Sequence, residues 1–213
     1  MYFCTCLQPN FDDMRKILLI VIMTFLFCGN LFSQKIQYQK DFQSEKIYTS
    51  LKEAMKNPNE VKRLHLKKKK MDTFPEEIFQ MTNLKELILS KNRIKAIPNQ
   101  IDELVNLEVL DCSNNKIASI SDAIGNLENL THLILNRNDI SYLPASIGNL
   151  KKIEYIDLWS NIIVELPPEI IKLKNILKEL DLRVIYMSEI HQNNIKELLP
   201  NTTIHFSKTC NCH

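Results

Sequence analysis

Residues Leu84 to Asn106 read LKELILSKNRIKAIPNQIDELVN, and similar units precede and follow this stretch at intervals of 23 residues. The units begin at Val61, Leu84, Leu107, Leu130 and Ile153, and a degenerate sixth unit begins near Leu177. A fixed period of about 20 to 50 residues is typical of a solenoid, in which each unit stacks on its neighbours. Such a stack offers a long surface rather than a deep cavity, so the repeat favours a binding protein over an enzyme.

The first half of each unit predicts a short strand with one buried face. Positions one, four and six are apolar, as Leu84, Leu87 and Leu89 show in the second unit. Positions four and six of a strand point to the same side, so these residues are expected in a core shared between units. Cys112 occupies position six of the third unit and is interpreted as a small core hydrophobe.

Position nine is an asparagine in four consecutive units. These residues are Asn92, Asn115, Asn138 and Asn161, and Lys69 takes the position in the first unit. The short amide of asparagine can bond backbone groups that no strand or helix satisfies, which suits a chain leaving a strand inside a packed stack.

The second half of each unit predicts a short helical or 3₁₀ turn. Four of the five full units place a proline before apolar residues spaced three to four apart, as in Pro98, Ile101 and Leu104. One unit cannot bury these residues alone, so stacking is needed to make a continuous core.

The pattern LxxLxLxxNxIxxLPxxIxxLxN resembles the leucine-rich repeat family in its 23-residue form, over roughly Val61 to Arg183. The resemblance implies an α/β solenoid, a curved horseshoe with a parallel sheet on its concave face. It also implies atypical end units, and Lys69 and Ile185 replace the asparagine there.

Both ends of the array are expected to carry caps that cover the core and close the sheet edges. The segment Tyr48 to Leu64 predicts an N-terminal helix that covers the core with Leu51, Ala54 and Met55, with Ser50 and Glu53 as a capping box. After Ser188, a helix carrying Ile190, Ile195, Leu198 and Leu199 and a final strand over Thr203–Phe206 are expected at the C-terminal end.

Residues 14–33, MRKILLIVIMTFLFCGNLFS, resemble a signal peptide. The apolar run from Ile17 to Phe27 is 11 residues long, shorter than the roughly 20 that span a bilayer. We expect cleavage near Ser33–Gln34 and therefore a secreted or cell-envelope protein, with an uncleaved membrane anchor as the alternative. The 13 residues before Met14 are unusual for a signal peptide, which makes Met14 an alternative start.

The predicted organisation has five parts. These are a signal peptide (1–33), a linker and capping helix (34–60), about six leucine-rich repeats (61–183), a C-terminal cap (184–208) and a cysteine-containing tail (209–213). The tail holds Cys210, Cys212 and His213, which are too few for a well-built metal site, so a tail disulfide or free thiols are favoured. No metal and no cofactor is expected.

The positions between the core residues are expected to form the concave binding surface. Trp159, the single tryptophan, lies in such a position near other aromatic, apolar and charged residues, which are types enriched at binding hot spots. The candidate ligand-binding residues are Tyr155, Trp159, His132, Ile134, Arg137 and Asp157. The alternative is that Trp159 packs over its neighbours and binds nothing.

A group of cations, Lys62, Arg63 and Lys67 to Lys70, marks the first unit. It is interpreted as a solvated edge that protects the first strand, with contact to an anionic polymer or lipid surface as the alternative. The net charge is only +2, and no phosphate-cradling glycine motif is present, so nucleic acid is not an expected partner.

The sequence therefore predicts a non-enzymatic module that recognises a protein or surface polymer through its concave face. The alternatives are a self-associating adhesive scaffold, or a membrane-anchored receptor domain if residues 14–33 are retained, the only case in which we expect a membrane contact. No catalytic residues are assigned, because His132 with Asp111 and Asp157 makes only a loose acid–base group without a nucleophile.

Overall fold

The computed structural model describes residues 45–207. Apart from Glu45, these residues belong to the second of the two units into which the chain divides, and the description below concerns that unit. The predicted signal peptide and the whole cysteine-containing tail lie outside the described residues. Among residues 45–207, no helix is long and apolar enough to cross a bilayer.

The second unit is built on a parallel sheet with one strand from each of the six repeats and one from each end segment. Its eight strands, in spatial order, are β1 (Ile47–Tyr48), β2 (Arg63–His65), β3 (Glu86–Ile88), β5 (Val109–Asp111), β7 (His132–Ile134), β8 (Tyr155–Asp157), β9 (Glu179–Leu182) and β10 (Thr203–Phe206). A second, two-stranded parallel sheet joins β4 (Ala96–Ile97) to β6 (Ser119–Ile120). The predicted α/β solenoid with a parallel sheet is confirmed.

The return half of each repeat is a 3₁₀ helix, as its proline and apolar spacing predict. The 3₁₀ helices are Glu76–Gln80, Asn99–Glu103, Asp122–Asn126, Ala145–Asn149 and Pro168–Leu173. A proline with φ between −63° and −79° precedes four of them, and in the third repeat Ser121 replaces it and accepts a hydrogen bond from the Ala123 amide. The proline restricts the backbone to the φ that starts the turn, so little entropy is lost there.

The core lies between the sheet and the 3₁₀ helices, where the predicted apolar positions meet. Leu87, Leu110 and Leu133 are adjacent in register and are completely buried. Cys112 is also completely buried as a free cysteine, and burial raises the pKa of its thiol well above the ordinary value. Its expected role as a core hydrophobe agrees with this position.

The asparagines of position nine join each repeat to the one before it. The Asn138 amide donates to the carbonyls of Leu135 at 2.8 Å and of Cys112 at 3.1 Å, and its Oδ1 accepts from the Ile117 amide at 3.0 Å. Asn92, Asn115 and Asn161 make equivalent bonds at intervals of 23 residues. These side chains satisfy buried backbone groups of two successive turns, which confirms the predicted role of the column.

Two glycines allow the 3₁₀ helices of neighbouring repeats to approach each other closely. A Cβ placed on Gly125 would lie 2.4 Å from the Ser146 carbonyl oxygen, and one on Gly148 would lie 2.3 Å from the Glu169 carbonyl oxygen. Both distances are far below van der Waals contact, so no side chain fits there without moving the next repeat.

The N-terminal end differs from the helix predicted within the segment Tyr48 to Leu64, which Asn57 and Pro58 are expected to end. Tyr48 lies in β1, which pairs with β2, and helix α1 covers only Leu51–Ala54 before a 3₁₀ turn at Pro58–Glu60. Ser50 is the N-cap residue, but its side chain makes no capping bond, so the expected capping box is wrong. An isolated turn of helix is marginal in water, and pairing of β1 with the sheet edge is the stronger constraint on this segment.

At the C-terminal end, helix α2 spans Glu189–Leu198 and β10 pairs in parallel with β9. The Ser188 hydroxyl accepts a hydrogen bond from the His191 amide at 3.3 Å. Ile195 and Leu199 are buried as expected, but Ile190 is 72% exposed and covers nothing. The error has a geometric cause: Ile190 lies in the first turn of α2, on a different face from Ile195.

Replacing Asn138 by alanine should lower the free energy of unfolding by about 3 kcal/mol, because one buried amide and two buried carbonyls lose their partner. Asn126→Ala is the matched control, since its exposed amide bonds only the Asp102 carboxylate, at 3.1 Å. The control should cost less than about 0.5 kcal/mol. Urea denaturation of both variants measures the difference, and equal losses would contradict the structural role of the column.

Candidate functional site

The outward face of the main sheet carries two rows of side chains, from positions three and five of each repeat. The position-three row is Arg63, Glu86, Val109, His132, Tyr155 and Glu179, and the position-five row is His65, Ile88, Asp111, Ile134, Asp157 and Asp181. Register places each residue directly beside its counterparts on the two neighbouring strands. We call this surface, together with the position-seven side chains that continue it (Trp159 in the fifth repeat), the sheet face.

The sheet face is more buried than the sequence predicts. Glu86 is 1% exposed, and Glu179, Asp181 and Asp157 are all below 10%. Parallel strands lie only about 5 Å apart, so long side chains standing on adjacent strands cover one another. The expectation of an openly exposed surface is therefore wrong for these positions, including the candidate residue Asp157.

Strands β7 and β8 and the turns after them bring the six predicted site residues together. The His132 and Tyr155 rings lie side by side, with centroids 5.8 Å apart and planes tilted by 42°. The Arg137 guanidinium lies 4.4 Å from the centroid of the Trp159 ring, a cation–π contact. Ile134 is in register with Asp157 between these two contacts.

Asp157 stabilises the turn that carries Trp159 through two hydrogen bonds. One carboxylate oxygen accepts from the Trp159 backbone amide at 3.0 Å, and the other accepts from the Asn136 side chain at 2.5 Å. Burial raises the pKa of Asp157, although these two hydrogen bonds oppose the rise. Its position is therefore better explained by holding the turn of Trp159 than by direct contact with a ligand.

The same hydrogen bond from an aspartate to an amide two residues later recurs along the sheet face, and sequence reasoning did not identify it. Asp111 accepts from the Ser113 amide at 2.9 Å, and Asp181 accepts from the Arg183 amide at 3.0 Å. The amide at position seven lies beyond the end of the strand ladder, and an aspartate two residues earlier reaches it. The signal available in the sequence was an aspartate at position five of three repeats.

His132 and the two aspartates of the loose acid–base group lie in different rows of the sheet face. The His132 Nδ1 lies 2.9 Å from the Thr131 hydroxyl, and burial lowers the pKa of the imidazole. Register places His132 beside Val109 and Tyr155, while Asp111 and Asp157 belong to the neighbouring row. Burial, followed by the nearby carboxylates, raises the pKa of Tyr155. The phenol therefore stays protonated at neutral pH.

Both ends of the sheet face carry a histidine–glutamate pair that sequence reasoning did not identify. Glu86 contacts Arg63 Nε at 2.7 Å and His65 Nε2 at 2.5 Å. At the other end, Glu179 contacts His205 Nε2 at 2.9 Å. These pairs join β2 to β3 and β9 to β10, near the two ends of the sheet.

A groove of about 670 Å³ lies away from the sheet face, along the 3₁₀ side of the second to fourth repeats. It is lined by Asn99, Asp102, Ile120, Ser121, Asp122, Ala123, Asn126, Tyr142 and Pro144. Within residues 45–207, no group of three or more His, Cys, Asp or Glu side chains is arranged to hold a metal ion.

The fold and the sheet face define a parallel-sheet solenoid, a class of repeat protein that presents a continuous surface. Comparison with family models identifies the repeats. A model described as leucine-rich repeats in two copies matches residues 82–126, and a second leucine-rich repeat model matches residues 106–163. Residues 82–163 of this chain therefore consist of leucine-rich repeats.

Solved structures of bacterial proteins share this fold. A leucine-rich repeat protein of Leptospira interrogans is 28% identical, with a TM-score of 0.61 over 76% of this chain and 46% of that one. An internalin of Listeria monocytogenes is 21% identical, with a TM-score of 0.55 over 70% of this chain and 40% of that one. This chain thus spans less than half of either protein. A search of curated proteins found no match.

The contacts of Glu86 with Arg63 and His65 predict that the free energy of unfolding depends on pH. Burial alone would raise the pKa of Glu86, but hydrogen bonds from His65 and Arg63 lower it from 4.5 to about 2. A carboxyl whose pKa is lower in the folded state stabilises the fold above pH 4.5 and loses that contribution as the pH falls towards 2.

Melting temperatures of the wild type and Glu86→Gln should therefore differ most at neutral pH and converge towards pH 2. Glu77→Gln is the control, because Glu77 is an exposed acid on a 3₁₀ helix. Its melting curve should follow the wild type at every pH. A constant difference between wild type and Glu86→Gln over the whole range would contradict the assignment.

Proposed function

We propose that this chain is a non-enzymatic recognition module that binds a protein, or a surface polymer, through the sheet face around Trp159. Leucine-rich repeat domains generally mediate protein–protein recognition, and the matched family supports this class of function. The concave sheet face is the proposed contact surface because strands from successive repeats extend it without interruption.

The observation that carries the proposal is the pair of aromatic contacts on adjacent repeats. Trp159 is partly exposed and lies beneath Arg137, while Tyr155 lies beside His132. Tryptophan, tyrosine and arginine are the residues most enriched at binding hot spots. Asp157 and the cation–π contact hold these groups in place, so a partner would meet a surface that is already ordered.

The double variant Trp159→Ala with Arg137→Ala should reduce partner capture from cell-surface extracts by tenfold or more, because hot-spot residues dominate affinity. Tyr142→Ala with Lys172→Ala is the matched control. It removes one exposed aromatic residue and one exposed cation outside the sheet face. Capture is measured by quantitative pull-down, with circular dichroism to verify that both variants fold.

Trp159 also serves as a built-in reporter, since it is the only tryptophan in the chain. Binding at the sheet face should shift its fluorescence emission and protect it from acrylamide quenching. Unchanged capture by the Trp159 and Arg137 variant, or binding without any change in tryptophan fluorescence, would contradict the proposal.

We also propose that the protein is exported and acts outside the cytoplasm. The support is the short basic start and 11-residue apolar run within residues 14–33, which is typical of a cleaved signal peptide. N-terminal sequencing of the protein from its native host should give a chain beginning near Gln34. A mature chain that still contains residues 14–33 would instead favour a membrane-anchored receptor domain.

A further inference from the structure

The turns that leave the main sheet form a second surface, distinct from the sheet face. Position eight of every repeat adopts a left-handed backbone, with φ between 54° and 62°. These residues are Lys68, Lys91, Asn114, Arg137, Ser160 and Val184. The left-handed residue lets position nine enter the core while positions eight and ten remain at the surface, so each turn presents two outward side chains.

Backbone hydrogen bonds keep these turns in register from repeat to repeat. The position-eight amides of Lys91 and Arg137 donate to the carbonyls of Ser113 and Trp159 in the next repeat, both within 3.0 Å. The position-ten amide of Lys116 donates to the Ile94 carbonyl of the previous repeat at 2.9 Å. Positions eight and ten therefore form two continuous rows, with successive residues roughly 5 Å apart. We call these two rows the turn edge.

Charge is segregated along the turn edge. The position-eight row is given above, and the position-ten row is Lys70, Arg93, Lys116, Asp139, Ile162 and Tyr186. Six of the eight residues from the first four repeats are cations and one is an acid. The last two repeats contribute Ser160 and three apolar residues, Ile162, Val184 and Tyr186, which are 60%, 54% and 98% exposed.

The opposite end of the strands is organised differently. There, Lys85, Lys151 and Lys178 each pair with a glutamate of a neighbouring repeat at 2.5 to 2.7 Å. Among the described residues, no such ion pair involves the six cations of the turn edge. Charges are therefore balanced on one side of the sheet and left unbalanced on the other.

We propose that the turn edge binds the surface of an anionic lipid bilayer, with the cations of the first four repeats on the headgroups and the apolar end inserted. Anionic headgroups attract each nearby Lys or Arg, and exposed aliphatic and tyrosine side chains enter the interface between headgroups and acyl chains. This surface goes beyond the sheet face and leaves that face free for a partner.

A bilayer fits this surface better than a peptide does. An extended peptide needs a groove or an open strand edge, and the described groove lies on the 3₁₀ side of the repeats. The turn edge is a row of projecting side chains, which a planar charged surface can meet along its whole length. Six repeats at about 5 Å each give a contact roughly 25 Å long.

The test uses vesicles of phosphatidylcholine with 30% phosphatidylglycerol, about a third anionic lipid, and vesicles of phosphatidylcholine alone. The full chain should co-sediment with the anionic vesicles only, and less so as salt rises. The triple variant Lys91→Gln, Arg93→Gln and Lys116→Gln should lower the partition coefficient on the order of a hundredfold, since each cation is worth roughly a factor of five.

Two matched controls test whether binding depends on the turn edge rather than on net charge alone. The N-terminal segment is identical in all variants, so it cannot cause a difference between them. Lys85→Gln, Lys151→Gln and Lys178→Gln remove the same charge from the paired side and should bind like the wild type. Ile162→Ser with Tyr186→Ser should weaken binding severalfold. Val105→Ser, at a residue 53% exposed and away from the turn edge, should not.

Equal binding by the two triple variants would overturn the proposal, as would equal binding of the wild type to neutral and anionic vesicles. Polyglutamate is the probe for the other kind of anionic partner. If the protein is retained on polyglutamate but does not bind anionic vesicles, the bilayer proposal is wrong and the partner of the turn edge is an acidic polypeptide.

Discussion

Every feature of this solenoid depends on the satisfaction of backbone groups where the chain leaves the sheet. A strand that ends inside a stack leaves amides and carbonyls without partners, and an unpaired buried group costs about 1–3 kcal/mol. The asparagine at position nine supplies those partners in four repeats, bonding its own turn and the turn before it. The asparagine side chain therefore holds successive repeats at a fixed spacing. The arrangement of the core and of both surfaces depends on that spacing.

That spacing explains why the sheet face is less open than the sequence indicates. Strands about 5 Å apart bring like positions into contact, so acids such as Glu86 and Asp181 become buried and need local partners. Some of them accept hydrogen bonds from the turns, and others form ion pairs between neighbouring strands near the ends of the sheet. Once these structural roles are assigned, the contact surface that we propose for recognition is centred on Trp159 and Arg137.

The two proposed surfaces meet at Arg137. It belongs to the cationic row of the turn edge, and its guanidinium lies over Trp159 on the sheet face. A lipid contact along one edge would hold the solenoid at a membrane surface while leaving the sheet face accessible. Recognition and attachment would then share Arg137 and otherwise use separate side chains of the same repeats, because Trp159 at position seven faces the partner and position ten faces the bilayer.

The sequence by itself determined the repeat, the core columns, the 3₁₀ turns and the role of the asparagines, because each depends on contacts that recur at a fixed interval. It also placed six candidate residues on two adjacent strands and the turns that follow them. Only the tertiary structure decided how exposed they are, since burial depends on the neighbouring strands on both sides. The short helix at Leu51–Ala54, the left-handed turns and the pairing of His65 with Glu86 likewise depended on the assembled stack. A periodic pattern shows which way a side chain points, but only packing shows what it meets there.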